Sequence, residues 1–530
     1  MNGIIGLVLF SRFGWRNNMT GFSVKNSFRN TVLFGTVLLL MLTANFLTAF
    51  GGFFYEMAAN LMFAANIVLN LAVACDLIPH VRRDFPFLVF VGTYNILLLG
   101  RVYVSFLAHY PEILYYLEAK DFYSLFTGLQ VVTLSLLCIY AGYQLVGPFF
   151  ANRERTIREK GWAAVSQNPI LPIIRQISTA VLLISSLASF YTLMESILNV
   201  LRSGYLGSFT QVSASSIPSA ISRLSMFFVP SFAVFLATMP DRRQLRLPMT
   251  VYGVYLLATL FTGRRNTFVC EAITILIYFV LRDSLNEKGK RVFKKRTVVG
   301  GGILAVVAMY LLQLLAEIRA YGLLSHRSFL DTVVNFLYSQ GASFRVVIQT
   351  VNSWDLFDHG MTWKYLFYPF ELFVHNNLIT RSLFGLSPII EVQTTAFVAS
   401  THNYAHALTY LVDPLRYLSG GGFGTSFVAE SYVAFGFVGV VIVSAGVGLI
   451  LRFFASMLTR SWVVTASCLL AIRDFVYIPR SFAFLWVTNV FNFTYLSFYI
   501  AIYFAALLVL RLGTHVRPAA RRAELGEEGP

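Results

Sequence analysis

Two histidines and one glutamate are the residues of this chain best suited to accept a proton from a substrate. His402 and His406 occur in "THNYAHALTYLVDP" and would share one face if that segment is helical. An imidazole with the unperturbed pKa of about 6.5 can accept a hydroxyl proton at neutral pH. Glu430, in "GGGFGTSFVAESYVAFG", is an alternative general base, and Thr425 or Ser426 is the predicted N-cap of its helix.

Each of these residues also has a structural interpretation. A histidine can serve as a hydrogen-bonded structural residue, and Glu430 can pin two helices through a buried hydrogen bond. The histidine spacing is similar to that of the zinc motif H-E-x-x-H, but Asn403 stands where that motif has its glutamate. No metal is therefore expected. The sequence contains no nucleotide-binding or other cofactor motif either, so an activated substrate must bring its own leaving group.

Arginines beside the apolar runs are the second set of residues that could do chemistry. A guanidinium at membrane depth costs on the order of 2.5 to 3.5 kcal/mol and usually faces a cavity or an anion. Several converging arginines suit a diphosphate, because each offers paired planar donors. The predicted diphosphate ligands are Arg264, Arg265, Arg319, Arg345, Arg473 and Arg480. The alternative is that an arginine extends to lipid headgroups, which we favour for Arg202, Arg327 and Arg416.

The composition requires a membrane. Hydrophobic residues make up 57% of the 530, charged residues only 12%, and the mean hydropathy is +0.66. The net charge of +16 comes from basic residues that mostly lie between apolar runs, where they act as orientation signals, so nucleic acid is not an expected partner. The sequence predicts an all-α integral membrane protein in which residues 1–530 form a single polytopic domain.

A spanning helix needs roughly 20 apolar residues, and the sequence predicts about twelve spans. They lie near 31–51, 54–77, 86–108, 123–147, 173–200, 218–239, 248–263, 267–282, 298–318, 424–451, 462–479 and 481–510. Residues 319–424 then form one large loop between spans. Runs such as "FLDTVVNFLY", "WKYLFYPFELFV" and "HALTYLV" in this loop predict short helices at the interface or in a cavity.

The charges of the loops predict the orientation. Basic residues are concentrated in every second loop, which the positive-inside rule assigns to the cytoplasm together with both termini. The large loop 319–424 is then external and carries part of the active site. The end of the chain, residues 512–530, is predicted to be a disordered cytoplasmic tail.

Five stretches together resemble a known family. They are "LFTGRRNTF", "AEIRAYG", "THNYAHALTYLVDPLRY", "GGGFGTSFVAESYVAFGFVG" and "RDFVYIPRSF", within about residues 250–490. In this layout the chain resembles the Wzy-type polymerases of O-antigen and capsular polysaccharide repeat units. The first third is similar to the family only in being a bundle of spans.

The resemblance implies an inverting, metal-independent glycosyltransferase of the bacterial inner membrane, with a fold akin to the C-type glycosyltransferases. Its substrates would be undecaprenyl-diphosphate-linked oligosaccharides, supplied by a flippase, and a chain-length regulator would be a further partner. The growing chain would move en bloc onto the non-reducing end of a new repeat unit at the outer leaflet. The arginines would neutralise the departing diphosphate, and His402, His406 or Glu430 would take the acceptor proton.

Two other functions fit the same residues. An O-antigen-ligase-like transferase would use the same donor chemistry with a different acceptor. A polysaccharide flippase or transporter would also have about twelve spans and cationic cavities. A transporter would favour two matching halves with polar groups at the midplane, whereas the polar residues of this chain gather at one face.

Overall fold

The computed structural model describes residues 21–147, 149, 168–210, 217–262, 265–285, 300–301, 306–311, 313–314 and 328–524. Every regular element within these ranges is a helix, so the predicted all-α class is confirmed. The internal contacts of the chain divide it into two compact units, Met1–His80 and Val81–Pro530.

The described residues of the first unit form a helical hairpin. Helices α1, Gly21–Thr48, and α2, Tyr55–Leu77, pack against each other along their length. The turn between them contains Gly51, whose φ of +105° favours a residue without a side chain. At the far end the Asn30 amide donates to the Asp76 carboxylate at 2.6 Å. This bond ties the two helices together where they are farthest from the turn.

In the second unit, nine α-helices are described between Val81 and Leu285. They are α3 (Phe85–Tyr94), α4 (Gly100–Ala108), α5 (Ile113–Leu117), α6 (Phe122–Leu145), α7 (Ile170–Thr210), α8 (Ser219–Ser225), α9 (Phe228–Ala237), α10 (Arg242–Thr259) and α11 (Arg265–Ser284). A π-helical turn, Asn95–Leu99, joins α3 to α4.

The described part of the long segment, residues 328–424, folds into seven short helices. They are α12 (Phe329–Gln340), α13 (Ser343–Asn352), α14 (Trp363–Asn376), α15 (Leu378–Phe384), α16 (Thr395–Ser400), α17 (Tyr404–Val412) and α18 (Pro414–Leu418). The three apolar runs predicted to be short helices fall in α12, α14 and α17. Four helices follow this segment: α19 (Phe427–Ala455), α20 (Trp462–Phe475), α21 (Leu485–Val490) and α22 (Phe493–Glu524).

Ten helical segments of the described residues are long and apolar enough to cross a membrane. They coincide with ten of the twelve predicted spans. The predicted span 267–282 corresponds to α11, whose polar residues include Glu271, Arg282 and Asp283. The predicted span 298–318 falls mostly outside the described residues.

The predicted span 424–451 is not one continuous helix. Within α19, Phe435 and Gly436 leave the helical region, and Gly436 has a φ of +60°. Glycine permits this conformation because it has no Cβ. The break separates a fully buried short helix, residues 427–434, from the spanning part, residues 437–455.

The spanning part of α19 packs closely on α6. A Cβ added to Gly142 would lie 2.1 Å from the Ala445 carbonyl oxygen, and one added to Gly448 would lie 1.9 Å from the Ile139 oxygen. Small residues thus allow two membrane helices to meet backbone to backbone. This contact fixes the spanning part of α19 relative to α6.

A second close approach positions Arg101. Helix α4 crosses the end of α12 where Gly100 meets Gly341: a Cβ on Gly341 would lie 2.0 Å from the Arg101 nitrogen. A Cβ on Gly100 would lie 2.6 Å from the Leu337 carbonyl oxygen. The crossing brings an arginine from the first spans to the long segment.

The end of the chain differs from the sequence-based expectation. Helix α22 continues to Glu524, so residues 512–524, predicted to be a disordered tail, are helical. The stretch contains three alanines and three arginines, which have high intrinsic helix propensity. Residues 525–530 lie outside the described part of the chain.

Candidate active site

His402 forms a pair with a carboxylate that the sequence analysis did not select. Its Nδ1 lies 3.0 Å from an oxygen of Glu371, on α14. The two side chains are 34% and 24% exposed, so both remain within reach of a ligand. An ionised carboxylate only accepts hydrogen bonds, so Nδ1 carries the proton and Nε2 of the neutral ring has its lone pair free to accept one.

The two histidines do not share a helix face as the spacing suggested. Asn403 is the N-cap of α17, and its side chain accepts from the His406 backbone N–H at 3.3 Å. His402 therefore precedes the helix, while His406 lies in its first turn. Asparagine is a favoured N-cap because its side-chain oxygen satisfies an unpaired N–H of the first turn.

His406 is enclosed by aromatic side chains. Its Nδ1 lies 2.9 Å from the Tyr417 hydroxyl, and its ring centroid lies 4.7 Å from that of Phe397. Burial lowers the pKa of His406, while Glu391 acts weakly in the opposite direction. These surroundings keep the imidazole neutral and favour a structural role for it.

Glu430 is fully buried, and both of its carboxylate oxygens are hydrogen-bonded. One accepts from the Thr425 hydroxyl at 2.5 Å and the other from the Ala483 backbone N–H at 2.9 Å. Ser426, rather than Thr425, occupies the N-cap position of α19. The arrangement joins the start of α19 to the turn after α20, as expected for a pinning hydrogen bond.

Arg101 and Arg345 are held by the same carboxylate. Arg345 Nε lies 2.6 Å from one oxygen of Glu118, and Arg101 Nη1 lies 3.5 Å from the other. Glu118 has a φ of +57°, an uncommon conformation for a residue with a side chain. Its carbonyl oxygen accepts from the side-chain amides of Gln349 and Asn352 at 3.4 and 3.3 Å. These bonds help to hold Glu118 in its strained conformation.

Arg345 and Arg416 lie against the same aromatic ring. Their guanidinium carbons are 4.3 and 5.0 Å from the centroid of Phe423. Burial lowers the pKa of Arg345 and Glu118 raises it. The nearby charges of Arg416 and Arg101 lower it further, and Asp413 raises it. We call Arg101, Arg345 and Arg416, with Phe423, the cationic cluster.

Arg480 lies next to this region of the fold. Its Nη1 is 3.5 Å from the Gln340 carbonyl oxygen and 3.4 Å from the Gln340 amide oxygen. The short helix Ile478–Arg480 also contacts the π-helical turn that precedes Arg101. The two Gln340 oxygens are neutral acceptors, so they do not compensate the positive charge of Arg480.

Arg473 has a different environment. Its Nη1 lies 3.4 Å from Glu271, and its Nε lies 3.2 Å from Asp474. The second Asp474 oxygen accepts from Asn489 at 2.8 Å. Two carboxylates thus compensate one guanidinium, which favours a structural role for Arg473.

Three of the predicted arginines lie at or beyond the limits of the described residues. Arg264 and Arg319 are outside the described residues. Arg265 is the first residue of α11 and is half-buried. Of the predicted diphosphate ligands, the structure therefore brings Arg345 and Arg480 to the end of α12. Within the described residues no group of three or more His, Cys, Asp or Glu side chains could hold a metal ion.

Sequence reasoning missed Glu371, Glu118 and Phe423. Glu371 is the only charged residue between Lys364 and His375 in an otherwise apolar run, which is a signal that could have selected it. Nothing in the sequence around Glu118 or Phe423 indicates that both contact Arg345, because Arg345 is distant from each of them along the chain.

These features define a class: a polytopic all-α membrane protein with a histidine–carboxylate pair in a long segment between two spans. A cationic cluster connects this segment to Arg101 of an earlier span. A family model for the O-antigen polysaccharide polymerase Wzy matches residues 30–512, nearly the whole chain. The chain belongs to this family, which implies lipid-linked oligosaccharide substrates in the membrane. Comparisons with curated proteins and with solved structures gave no match.

Proposed function

We propose that the protein joins undecaprenyl-diphosphate-linked oligosaccharide repeat units into a polysaccharide at the outer leaflet of the bacterial inner membrane. Family membership supports a polymerase of O-antigen repeat units. The observation that carries the chemistry is the contact of His402 with Glu371 in a half-exposed position. The proposed reaction is en bloc transfer of the growing chain to the non-reducing end of a new unit, with inversion and without a metal.

The acceptor hydroxyl is the nucleophile in this reaction. Its oxygen forms a bond to the anomeric carbon of the donor sugar, while the bond from that carbon to the diphosphate oxygen breaks. The hydroxyl proton passes to Nε2 of His402, and the bonding electron pair leaves with the lipid diphosphate. Glu371 stabilises the imidazolium that forms and holds the ring in the required tautomer.

Arginines stabilise the leaving group in this scheme. Charge on the diphosphate grows as the glycosidic bond breaks, so preorganised donors act most strongly in the transition state. Arg345 and Arg480 have the environments best suited to this role. Arg264, Arg265 and Arg319 stay in the proposal because the loop charges assign them to the same predicted external face. Arg473 is a weaker candidate because two carboxylates already compensate its charge.

Incubation of the purified protein with one lipid-linked repeat unit tests the proposal. We expect a ladder of products in excess EDTA, without nucleotide sugar or ATP. Activity that EDTA abolishes and a divalent ion restores would contradict the metal-independent mechanism. Movement of the lipid-linked sugar between leaflets without a new glycosidic bond would instead indicate a transporter. Transfer only to a lipid A or protein acceptor would indicate a ligase.

Cysteine labelling in intact cells tests the orientation. In a chain whose four native cysteines are replaced, Ile390→Cys lies in the long segment at a site that is 62% exposed. We expect it to react with an impermeant thiol reagent from outside, whereas Lys290→Cys, in a basic loop, should not. Labelling of position 290 alone would reverse the assignment and remove the external active site from the proposal.

A further inference from the structure

The cationic cluster keeps like charges close together. Arg345 and Arg416 approach the same Phe423 ring, and Arg345 and Arg101 share the Glu118 carboxylate. Unscreened guanidinium groups repel one another, so their proximity must be maintained by these two neighbours or by an anion. Glu118 and the nearby Asp413 supply two negative charges to three positive charges. The cluster as described therefore has an excess of positive charge.

The cluster is accessible to a ligand although it is partly desolvated. The side chains of Arg101 and Arg345 are 13% and 20% exposed, and Arg416 and Phe423 are half-buried. Partial burial strengthens electrostatic attraction to an incoming anion, because less water screens the charges. A guanidinium also offers two parallel donors, which suit the oxygens of a phosphate or diphosphate.

Local backbone contacts determine where the Phe423 ring lies. Gly420 and Gly424 have φ values of +89° and +80°, which allow the chain to turn before and after the ring. The Phe423 N–H donates to the Thr409 hydroxyl at 3.0 Å, and the Gln393 amide donates to the Gly421 carbonyl at 3.1 Å. The ring is thus attached to α17 and to the segment before α16.

Phe423 can stabilise two cations at once. Each guanidinium is within the distance at which the negative face of an aromatic ring attracts a cation. The ring contributes no charge, so it holds the arginines without occupying their hydrogen-bond donors. Glu118 engages Arg345 Nε and Arg101 Nη1, and the Tyr338 carbonyl accepts from Arg101 Nε. The ring leaves the other donors available to a ligand, unlike the carboxylates that surround Arg473.

We propose that Arg101, Arg345 and Arg416 form the subsite for the diphosphate of a lipid-linked substrate, and that Phe423 is a positioning residue that holds two of these arginines. The inference rests on the proposed function, and it assigns Arg416 to substrate binding rather than to lipid headgroups. Phe423 itself does not touch the reacting atoms.

Binding of inorganic pyrophosphate to the full-length protein in a neutral detergent tests the subsite. Isothermal titration should show that Phe423→Leu weakens binding about tenfold, as loss of the ring's attraction for two cations implies. Phe423→Tyr should retain binding because its ring also attracts cations. The matched control is Phe453→Leu, which removes a ring 4.2 Å from Arg460 outside the cluster and should leave binding unchanged.

Further variants keep the test decisive if Phe423→Leu does not fold. Arg416→Gln and Arg345→Lys should each weaken pyrophosphate binding while the thermal unfolding midpoint stays near that of the unmodified protein. Binding that is unchanged in both, or absent in the unmodified protein, would overturn the subsite. If the protein binds phosphatidylglycerol in mixed micelles in preference to pyrophosphate, the cluster binds lipid headgroups and the proposed subsite is wrong.

Kinetics separate this inference from the proposed function. With a lipid-linked repeat unit, Phe423→Leu should raise KM more than it lowers kcat, because it disturbs an arginine position rather than the proton transfer. If the unmodified protein polymerises and Phe423→Leu behaves like Phe453→Leu, the subsite is wrong and the function stands. If pyrophosphate binds as expected but no polymer forms, the function is wrong and the anion subsite stands.

Discussion

Arg473 in α20 and Arg345 in α13 lie in two charged clusters whose charge balance differs. Arg473 contacts Glu271 and Asp474, so one cation is surrounded by two carboxylates within the helical bundle. Arg345 shares the single Glu118 carboxylate with Arg101 and shares the Phe423 ring with Arg416.

The difference separates charge used for folding from charge available to a ligand. A buried cation whose counter-charges belong to the protein is costly to disturb, because removal of one partner leaves the other unpaired. A half-buried cation with too few counter-charges can gain from an incoming anion. The partners of an arginine, rather than its depth or its position near a loop, therefore indicate what it does.

The largest effect should come from the proton acceptor. We expect His402→Ala to lower turnover by about 100- to 10,000-fold while binding of the lipid-linked substrate is largely kept. Added imidazole should restore part of the rate. His375→Ala, in the same segment, is the control and should retain activity. Glu371→Gln should slow the unmodified enzyme but have little further effect in His402→Ala, since the two residues act as a unit.

Substitution of Arg345 should lower activity, whereas substitution of Arg473 should lower stability. Arg345→Ala should lower polymerisation by about 100- to 1,000-fold, as for loss of a transition-state donor, with little change in unfolding. Its partner Glu118 is 32% exposed and can be solvated when left alone. Arg473→Leu should instead lower the free energy of unfolding by about 3 to 5 kcal/mol. Unfolding in mixed micelles and a polymerisation assay on the same samples measure both effects, and a reversed pattern would contradict the comparison.

Glu430 should resemble Arg473 in stabilising the fold rather than taking part in the reaction. Glutamine retains one acceptor at this position but cannot accept from both Thr425 and Ala483. We expect Glu430→Gln to lower the free energy of unfolding by about 1 to 3 kcal/mol, while its turnover falls much less than that of His402→Ala. A turnover loss as large as that of His402→Ala with normal stability would make Glu430 the base.

The smallest effect concerns pH and His406. Burial lowers the pKa of His406 in the folded chain, so below about pH 6.5 the unfolded chain binds a proton that the folded chain resists. The stability of the native protein should fall as pH decreases through that range and stay level above it. In His406→Gln this contribution should be absent, and thermal unfolding between about pH 7.5 and 5.5 measures the difference. An identical pH dependence in both proteins would contradict it.

The fold was predictable where it depends on composition. Ten spans could be located because long apolar runs have few alternatives to membrane helices. The break in α19 was not predictable from hydropathy, because Phe435 and Gly436 are as apolar as their neighbours. The length of α22 was missed because polar composition alone does not separate a solvated helix from a disordered tail.

The site was only partly predictable, since its contacts join distant parts of the chain. His402 and its segment could be selected from residue type, but its partner Glu371 lies 31 positions earlier. Arg473 appeared available because its partner Glu271 is 202 positions away. Arg416 appeared to be a lipid anchor because the aromatic ring beside it is ordinary in sequence. Residue type predicted which groups could act, whereas tertiary contacts decide which of them are already occupied.

The close contact of α4 with the end of α12, next to Arg101, limits which substitutions this chain can accept. Gly100 and Gly341 lie so close to the opposing backbone that neither position accepts even a methyl group without separating α4 from α12. A substitution at one position therefore cannot be compensated by a change at the other, and both must remain glycine while Arg101 keeps its place. Adaptation to a different sugar repeat unit must then come from other positions, such as Gly422, where an added Cβ meets its nearest neighbour only at 3.8 Å.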